Sequence, residues 1–231
     1  MGSHVSCHVI VVAGGAGRRF GGHVPKQFLP LGDKPVMMHS VMQFDEIDCI
    51  DGITLVVPPD YLDHCKEMVQ DHAVKKVTAI VCGGENRQQS VYNGLGALGG
   101  GDGIVLVHDG ARPFVPKDII TALIAHAAAH GAATLALPVT DTVKMADDAR
   151  FVTQTLRRDG LYLVQTPQAF RAQTLMAAHE AALKSGYTAG DDCELVEKIG
   201  IFPKIIMGNR NNIKITDSAD LDFARFLLER P

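Results

Sequence analysis

The 231-residue sequence lacks an excess of positive charge. It carries 22 Lys and Arg against 26 Asp and Glu, a formal net charge of -4 at pH 7. Duplex nucleic acid is held by a broad basic field, so we expect no nucleic-acid partner, and any anion must be bound by a local cluster of cations. Long hydrophobic runs are also lacking. No apolar stretch approaches the length that spans a bilayer, which predicts a soluble protein without a membrane partner.

Cysteine pairs at short spacing are missing as well. The chain has no CxxC pair and no cysteine at metal-ligand spacing, and its cysteines form an odd, scattered set: Cys7, Cys49, Cys65, Cys82 and Cys193. Such a set gives no sign of a disulfide framework or a zinc site. It fits a reduced compartment best, so we expect a cytoplasmic protein.

Short β-branched apolar runs alternate with helical patterns along the first 140 or so residues. Buried strands are predicted at 8–14, 52–58, 76–84, 103–110 and 133–139. The segments between them have apolar residues three and four positions apart, as helices do. This alternation predicts an α/β fold with a mostly parallel sheet and helices on both faces. We expect one domain over 5–231, after an MGSH start typical of an expression remnant.

From about residue 139 the pattern changes to alternating polar and apolar residues with a turn-like ADDA in the middle. It predicts a β-hairpin arm at about 139–160 that projects from the main body. A helix from RAQTL, a short helix from DDCEL, two brief strands in FPKIIMG and NIKIT, and a last helix capped at Asp217 complete the predicted chain.

The stretch VVAGGAGRRFGGHVPKQF, residues 11–28, begins as a buried strand and continues as a glycine-rich loop with cations at Arg18, Arg19 and Lys26. Glycines after a strand let successive backbone N–H groups converge on an anion. The loop lacks the third glycine and immediate helix of a dinucleotide fingerprint, and it lacks the G-K-[ST] of a Walker A loop. The remaining interpretation is a long wrapping loop that grips a triphosphate and neutralises its charge.

Seven motifs follow one another along the chain: AGGAGRRFGGHVPKQFLPLGDKPVMMHS, GGENRQQSV, VHDGARPFV, PVTDTVK, LRRDGLYLVQTPQAF, DDCELVE and NRNNIKIT. In order and spacing they resemble the 2-C-methyl-D-erythritol 4-phosphate cytidylyltransferases, from Val9 onward. The resemblance implies a three-layer Rossmann-like nucleotide-diphospho-sugar transferase fold and transfer of CMP from CTP to a polyol phosphate with loss of pyrophosphate. It also implies Mg²⁺ as cofactor and a homodimer clasped by the arm.

The resemblance assigns roles to individual residues. A phosphate nucleophile needs no general base, so the implied catalysis consists of orienting the partners and stabilising charge. The implied catalytic residues are Arg19 and Lys26, as transition-state stabilisers, with Arg158 and Lys214. The implied CTP contacts are Ala13, Gly14, Gly15, Gly17, Arg19, Lys26, Gly84, Glu85, Ser90, Asp109 and Gly110. The implied polyol-phosphate contacts are Asp109, Arg112, Thr142, Arg158 and Lys214, with Arg158 selected over Arg157 by the spacing before DGL.

Asp109 ends a predicted strand at the edge where open α/β sheets bind ligands. A lone carboxylate suits Mg²⁺, which takes one or two protein oxygens and fills its shell with phosphate and water, so Asp109 is the expected metal ligand. The alternative for Asp109 is a helix N-cap. For Ser90 the alternative is an ordinary helix-terminus serine, and for Lys214 an outward lysine on an edge strand. Arg87 is expected to support its loop, and His108 to be structural.

Two other functions stay open at this stage. The ribitol-5-phosphate cytidylyltransferases share the glycine loop, QTPQ and a NIKIT-like end, although HDGARPF and RRDGL resemble the methylerythritol enzymes more than the HDSVRPF and NRAHL patterns of the ribitol ones. A nucleotide-binding module without turnover is the alternative of another class. Such a module should have lost a charged phosphate ligand, whereas Arg19, Lys26, Asp109 and Lys214 are all present.

Overall fold

The computed structural model describes residues 5–15 and 24–230. Within these ranges the chain forms one seven-stranded sheet, two two-stranded ribbons and seven α-helices. The strands are β1 Cys7–Val12, β2 Pro30–Leu31, β3 Lys34–Pro35, β4 Gly52–Val57, β5 Val77–Cys82, β6 Ile104–Asp109, β7 Ala132–Pro138, β8 Val143–Ala146, β9 Val152–Leu156, β10 Tyr162–Arg171 and β11 Lys204–Met207. The helices are α1 Val36–Asp45, α2 Leu62–Asp71, α3 Arg87–Ala97, α4 Lys117–His130, α5 Ala172–Ser185, α6 Asp192–Lys198 and α7 Ser218–Leu228.

The main sheet has the strand order β11-β7-β10-β6-β1-β4-β5. Neighbouring strands run parallel except at β10, which is antiparallel to both β6 and β7. Every residue of β4 and β6 is buried, as the continuous apolar runs of a sheet covered on both faces require. The predicted α/β fold with a mostly parallel sheet is confirmed.

Helices cover both faces of the sheet. α1, α2 and α4 pack on one face around Phe44 and Leu55, and α3, α5 and α6 pack on the other around Ile10 and Phe170. Each of these large side chains is fully buried and contributes roughly 1.5–3 kcal/mol of transfer free energy. α7 packs on a third, smaller cluster. The two layers leave the ends of the strands free to form a site.

The hairpin arm is present as β8 and β9, an antiparallel pair separate from the main sheet. The chain turns at 147–150, where the Asp147 carboxylate accepts the Phe151 N–H at 2.8 Å and Arg150 has a φ of 66°. The sequence pattern predicted the arm at about 139–160 but gave no separate strand for β10, which lies in the main sheet between β7 and β6. The alternation of polar and apolar residues is misleading in β10, because residues 162–164 are exposed while residues 165–170 are buried.

The predicted strand in NIKIT is wrong. Residues 212–216 form no strand, and the segment lies beside the loop that follows β6, where the Ile215 N–H donates to the Ala111 carbonyl at 2.9 Å. β6 already pairs with β1 and β10, so it offers no free edge there. Ile215 is buried in the third cluster with Leu31, so its apolar character reflects side-chain packing without a strand ladder.

The predicted cap of the last helix is confirmed. The Asp217 carboxylate accepts the Asp220 N–H, and the Asp220 side chain accepts the Asp217 N–H, which completes a capping box. Among the residues that the structure describes, no helix is both long enough and apolar enough to cross a membrane.

Candidate active site

A cleft of about 590 Å³ opens at the carboxyl ends of β1, β5 and β6. It brings together most of the predicted CTP contacts: Ala13, Gly14, Gly15, Lys26, Gly84, Glu85, Ser90 and Asp109. Lys214 lines the same cleft. Gly17 and Arg19, with the neighbouring Arg18, lie outside the described residues. The sequence prediction therefore identified one continuous surface from segments that are far apart in the chain.

Two glycine loops form one wall of the cleft by close approach of their backbones. A Cβ atom on Gly14 would lie 3.3 Å from the Gly83 Cα, and a Cβ atom on Gly83 would lie 3.2 Å from both the Gly14 Cα and the Ser90 Oγ. Both loops are also tied to β4, since the Ala13 N–H donates to the Val56 carbonyl at 2.7 Å and the Gly83 N–H to that of Val57 at 2.8 Å. The wall is thus narrow and held from beneath.

Gln27 holds the first glycine loop from the side, a role that the sequence reasoning missed. Its Nε2 donates to the Ala13 carbonyl at 2.6 Å and to the Gly15 carbonyl at 2.8 Å, and the residue is only 3% exposed. These bonds occupy the two carbonyl oxygens and fix the backbone of the first glycine loop. The only sequence signal was a glutamine between a lysine and a buried phenylalanine.

Lys26 precedes Gln27 at the start of a single 3-10 turn, Lys26–Phe28. Gln27 is buried in this turn, and Lys26 lines the cleft. On the same side Thr216 donates to the Asp220 carboxylate through both its N–H, at 2.7 Å, and its hydroxyl, at 2.5 Å. Burial raises the pKa of Asp220, but the bonds from Thr216, aided by the charge of Lys26, hold it below its ordinary value. Lys26 therefore enters the cleft beside an ionised carboxylate.

Ser90 is buried at the foot of the second glycine loop. Its hydroxyl accepts the Gly84 N–H at 3.0 Å and donates to the Asn86 carbonyl at 2.8 Å. A hydroxyl has one proton and two lone pairs, so toward the cleft Ser90 keeps one lone pair and can only accept. This geometry suits a ligand donor such as an exocyclic amine.

Asp109 forms the floor of the cleft at the end of β6. Three cations of the described chain lie within 3.8 Å of its carboxylate: Lys214 at 2.7 Å, Arg87 at 3.3 Å and Arg112 at 3.8 Å. Burial alone raises the pKa of Asp109, but Arg87, Lys214 and Arg112 outweigh it and hold the pKa well below its usual range. Asp109 is ionised, and the N-cap alternative does not describe it.

Arg112 and Gly110 lie behind this floor and do not line the cleft. Arg112 is largely buried, and its Nη1 donates to the Asn212 carbonyl at 2.8 Å. The Gly110 N–H donates to the Val12 carbonyl at 2.9 Å, and its carbonyl accepts the Ser40 hydroxyl. Both residues support the floor in this single chain, where the resemblance implies contact with substrate.

Thr142 and Arg158 lie at the base of the arm and are exposed. The Arg158 guanidinium donates to the Thr140 carbonyl, within the arm itself. Neither residue lines the cleft of its own chain. The structure therefore brings Lys214 to the cleft and leaves the two arm residues outside it.

Arg87 does more than support its loop. Its Nε donates to Asp109 Oδ1 at 3.3 Å and its Nη1 to Asp192 Oδ2 at 2.6 Å, so it joins the cleft floor to α6. Sequence reasoning missed Asp192, although its motif DDCELVE had been singled out. His108 is structural as expected: it is fully buried, packs edge-on against Phe44, and lies 3.0 Å from the Arg112 carbonyl.

The donor set for a metal at this site is small. No group of three or more His, Cys, Asp or Glu side chains in the described ranges is arranged to hold an ion. Asp109 supplies one ionised carboxylate at the cleft floor, and Glu85 is exposed at the rim. A single carboxylate fits Mg²⁺, which takes most of its six oxygens from phosphate and water. It does not fit a metal that needs a protein cage.

Comparison with known proteins agrees over almost the full length. The family model of 2-C-methyl-D-erythritol 4-phosphate cytidylyltransferase matches residues 7–230. The protein of that name from Pelotomaculum thermopropionicum is 46% identical over 221 residues, which cover 95% of this chain and 93% of that protein. Its namesake from Geobacillus kaustophilus is 46% identical over 219 residues, 95% of each chain.

Solved structures show the same relation. The 4-diphosphocytidyl-2C-methyl-D-erythritol synthase of Anaerococcus prevotii superposes with a TM-score of 0.86 at 30% identity, covering 98% of this chain and 97% of that one. The 2-C-methyl-D-erythritol 4-phosphate cytidylyltransferase of Francisella tularensis gives a TM-score of 0.79 at 30% identity, with coverages of 96% and 99%. The cleft residues fall within the matched range.

Proposed function

The chain belongs to the 2-C-methyl-D-erythritol 4-phosphate cytidylyltransferase family, and from this premise we propose that its cleft transfers CMP from CTP to 2-C-methyl-D-erythritol 4-phosphate. The products are 4-diphosphocytidyl-2-C-methyl-D-erythritol and pyrophosphate, in one step of non-mevalonate isoprenoid precursor synthesis. The family match over residues 7–230 carries this proposal, and the cleft that unites Lys26, Asp109 and Lys214 supports it. The ribitol alternative is not favoured, since the relatives above bear the methylerythritol name.

The reaction needs orientation and charge stabilisation rather than a base. A phosphate oxygen of the polyol substrate attacks the α-phosphorus of CTP in line, the new O–P bond forms, and the bond to the bridging oxygen breaks to release pyrophosphate. The nucleophile is already ionised near neutral pH, so no proton has to be removed. The enzyme lowers the barrier by holding the two anions together and neutralising the charge that spreads over the phosphoryl oxygens.

Lys26 and Arg19 are the proposed stabilisers of that charge. Lys26 is aimed into the cleft by the buried Gln27 beside it and offers a compact ammonium charge. Arg19, whose role rests on the family resemblance, offers a guanidinium that bridges two phosphate oxygens. The first glycine loop, whose carbonyls at Ala13 and Gly15 are held by Gln27, is the proposed backbone contact for the triphosphate.

Lys214 is the proposed cation for the polyol phosphate. Its Nζ pairs with the Asp109 carboxylate at 2.7 Å while the side chain remains 38% exposed. Arg87 and Arg112 also neutralise Asp109, so Lys214 can turn to a substrate phosphate without leaving that carboxylate unpaired. Ser90, at the foot of the second glycine loop, is the proposed acceptor for the 4-amino group of cytosine.

Mg²⁺ is the proposed cofactor, held by Asp109 together with triphosphate oxygens and water. When bound, the ion neutralises charge on the triphosphate and on the departing pyrophosphate. The protein's part is to supply one ionised carboxylate at the cleft floor and to keep that carboxylate ionised through Arg87 and Arg112.

We propose a homodimer in which the arm of one subunit completes the polyol site of the other. Three observations support it: Thr142 and Arg158 lie outside their own cleft, the arm is exposed, and it displays Met145, Phe151 and Val152 to solvent. Exposed apolar patches of this kind mark interfaces. Mixing the impaired Lys26→Ala and Arg158→Ala subunits tests the sharing, because a hybrid dimer regains one intact site. Absence of any regained activity after subunit exchange would contradict a shared site.

The remaining expectations stay predictions. A cytoplasmic location agrees with the five unpaired cysteines of the described chain. The lack of nucleic-acid and membrane partners is predicted from the composition.

Pyrophosphate release tests the function directly. We expect fast release with CTP, Mg²⁺ and 2-C-methyl-D-erythritol 4-phosphate, slow release with D-ribitol 5-phosphate, and loss of release in Lys26→Ala. Faster release with D-ribitol 5-phosphate would instead favour the ribitol-5-phosphate cytidylyltransferase function. No release with either polyol phosphate would favour a nucleotide-binding module without turnover.

A further inference from the structure

The motif DDCELVE, at the start of α6, does not line the cleft, yet it contacts a residue that does. Asp192 is fully buried, and its Oδ2 accepts from Arg87 Nη1 at 2.6 Å, a shorter contact than the 3.3 Å between Arg87 and Asp109. Arg87 and Asp192 are 105 residues apart in sequence. The closer anchor of the guanidinium is therefore the carboxylate outside the cleft.

Asp192 is itself held from three sides. Its N–H donates to the Gln168 Oε1 at 3.2 Å, its Oδ1 lies 3.1 Å from the His179 Nε2, and Arg87 takes the remaining oxygen. Gln168 is fully buried in β10 and also donates to Asp191 at 2.7 Å, so a strand of the main sheet fixes the first turn of α6. Strand β10 and helix α5 thus determine where the Asp192 carboxylate stands.

We infer that Asp192 is a positioning residue for the transfer reaction: it anchors Arg87, and Arg87 in turn holds the Asp109 carboxylate in place at the cleft floor. This inference rests on the proposed function for its meaning in catalysis. A buried ion pair adds little net stability over an apolar pair, so stability alone is a weak reason for the charges. A better reason is position: Arg87 contacts both Asp192 and Asp109, so the ion pair connects α6 to the carboxylate at the cleft floor.

Loss of the anchor has a specific consequence. The Arg87 side chain is 27% exposed at the cleft, so without Asp192 it can turn toward solvent. Asp109 then has fewer cations and holds Lys214 more tightly. Lys214 is thereby withdrawn from the polyol phosphate, so the reaction with that substrate suffers more than the binding of CTP.

The test compares Asp192→Asn with Asp191→Asn. The two residues are adjacent and lose the same charge. Asparagine at position 191 keeps the oxygen that caps α6 and gives up the contact with Gln168, whereas the contact with Arg87 belongs to Asp192. For each folded variant, we expect Asp192→Asn to lower kcat about tenfold or more and to raise the KM for methylerythritol phosphate, with the KM for CTP changed by less than about twofold. Asp191→Asn should stay within about twofold of the parent in all three values.

NMR of ¹³C,¹⁵N-arginine-labelled protein reports the anchor without turnover. A guanidinium held on two sides rotates slowly and gives separate Nη–H signals, which Arg87→Lys assigns by their loss. These signals should merge in Asp192→Asn and persist in Asp191→Asn. If Asp192→Asn does not fold, His179→Leu removes another contact of Asp192 and should broaden the same signals.

Unchanged Arg87 signals in Asp192→Asn, an equal loss of kcat in both asparagine variants, or full activity per folded Asp192→Asn molecule would overturn the inference. Failure of the parent enzyme to release pyrophosphate would count against the proposed function alone, because the NMR comparison still judges the anchor.

Discussion

The cleft wall and the arm differ in how the rest of the chain holds them. The wall is built from backbone: Gly14 packs on Gly83, and Gln27 fixes two carbonyls with one buried amide. The arm is an exposed hairpin whose implied substrate contacts, Thr142 and Arg158, lie outside the cleft of their own chain. The residues proposed to bind the nucleotide are thus brought together within one chain, whereas the two arm residues proposed to bind the polyol phosphate are not.

This difference determines how much conformational freedom each region has to lose when a substrate binds. Groups already in place lose little freedom when a ligand arrives, whereas a contact supplied by the arm of a second copy, as in the proposed homodimer, also depends on assembly. Substitutions in the wall should therefore act through CTP, and substitutions in the arm through the polyol phosphate and the oligomeric state.

The largest effect is expected at Lys26, which lines the cleft next to Gln27, the residue that holds the wall. Lys26→Ala should lower kcat by about 10²- to 10³-fold, because a cation aimed at the developing charge is lost. The free energy of unfolding should change by less than about 1 kcal/mol. Steady-state pyrophosphate release and thermal unfolding measure the two quantities. Lys184→Ala, at an exposed lysine of α5, is the control, and an equal loss there would refute the assignment.

The arm is tested next by Arg158→Ala against Arg157→Ala. Both arginines are exposed, and Arg157 pairs only loosely with Asp159, at 3.3 Å. We expect Arg158→Ala to lower kcat/KM for methylerythritol phosphate by about tenfold to 100-fold while the KM for CTP stays within about threefold. Arg157→Ala should remain near the parent. Equal losses of kcat/KM in the two variants, or an effect confined to the KM for CTP, would show that Arg158 does not bind the polyol phosphate.

The packing of the wall is sharpened by Gly83→Ala. The added Cβ would lie 3.2 Å from the Gly14 Cα and from the Ser90 Oγ, so the two loops must separate. We expect the KM for CTP to rise about tenfold, since displacement of a positioning group by a fraction of an ångström is costly. Gly96→Ala is the matched control, because its Cβ meets nothing within 4 Å. Gly96→Ala should leave the KM for CTP unchanged. If Gly83→Ala also leaves it unchanged, the two loops are not closely packed.

The smallest effect on activity is expected at His108, beneath the floor. Burial lowers the pKa of His108 to about 4, although its contacts with the Arg112 carbonyl and Asp109 act in the opposite direction. The unfolded state binds a proton at the ordinary pKa of about 6.5, so stability is full above that pH and falls as the pH drops toward 4. His108 should account for a loss on the order of 3 kcal/mol across this range.

His108→Gln checks this prediction, since its amide can still donate to the Arg112 carbonyl. Denaturant unfolding at pH 7 and at pH 4.5 should show a smaller difference in the free energy of unfolding for His108→Gln than for the parent. The same difference in both proteins would mean that other groups carry the acid sensitivity.

Prediction from sequence succeeded where the signal is local. The apolar run of β6 and the glycines that follow β1 each reveal their structure within about ten residues, because strand burial and loop conformation depend on nearby side chains. The same holds for Asp217, whose cap involves Asp220 only three positions away. NIKIT failed because alternation records burial and not the availability of a strand edge.

The sequence by itself determined the alternation of strands and helices, the glycine loops, the arm and the family motifs, since all of these depend on residue type and short spacing. Only the tertiary structure decided that Gln27 holds the loop, that Lys214 and Arg87 share Asp109, and that Asp192 stands behind Arg87. The physical reason is that charge pairing follows distance in space. Residues such as Arg87 and Asp192, 105 positions apart, meet only when helices from different parts of the chain pack on one sheet.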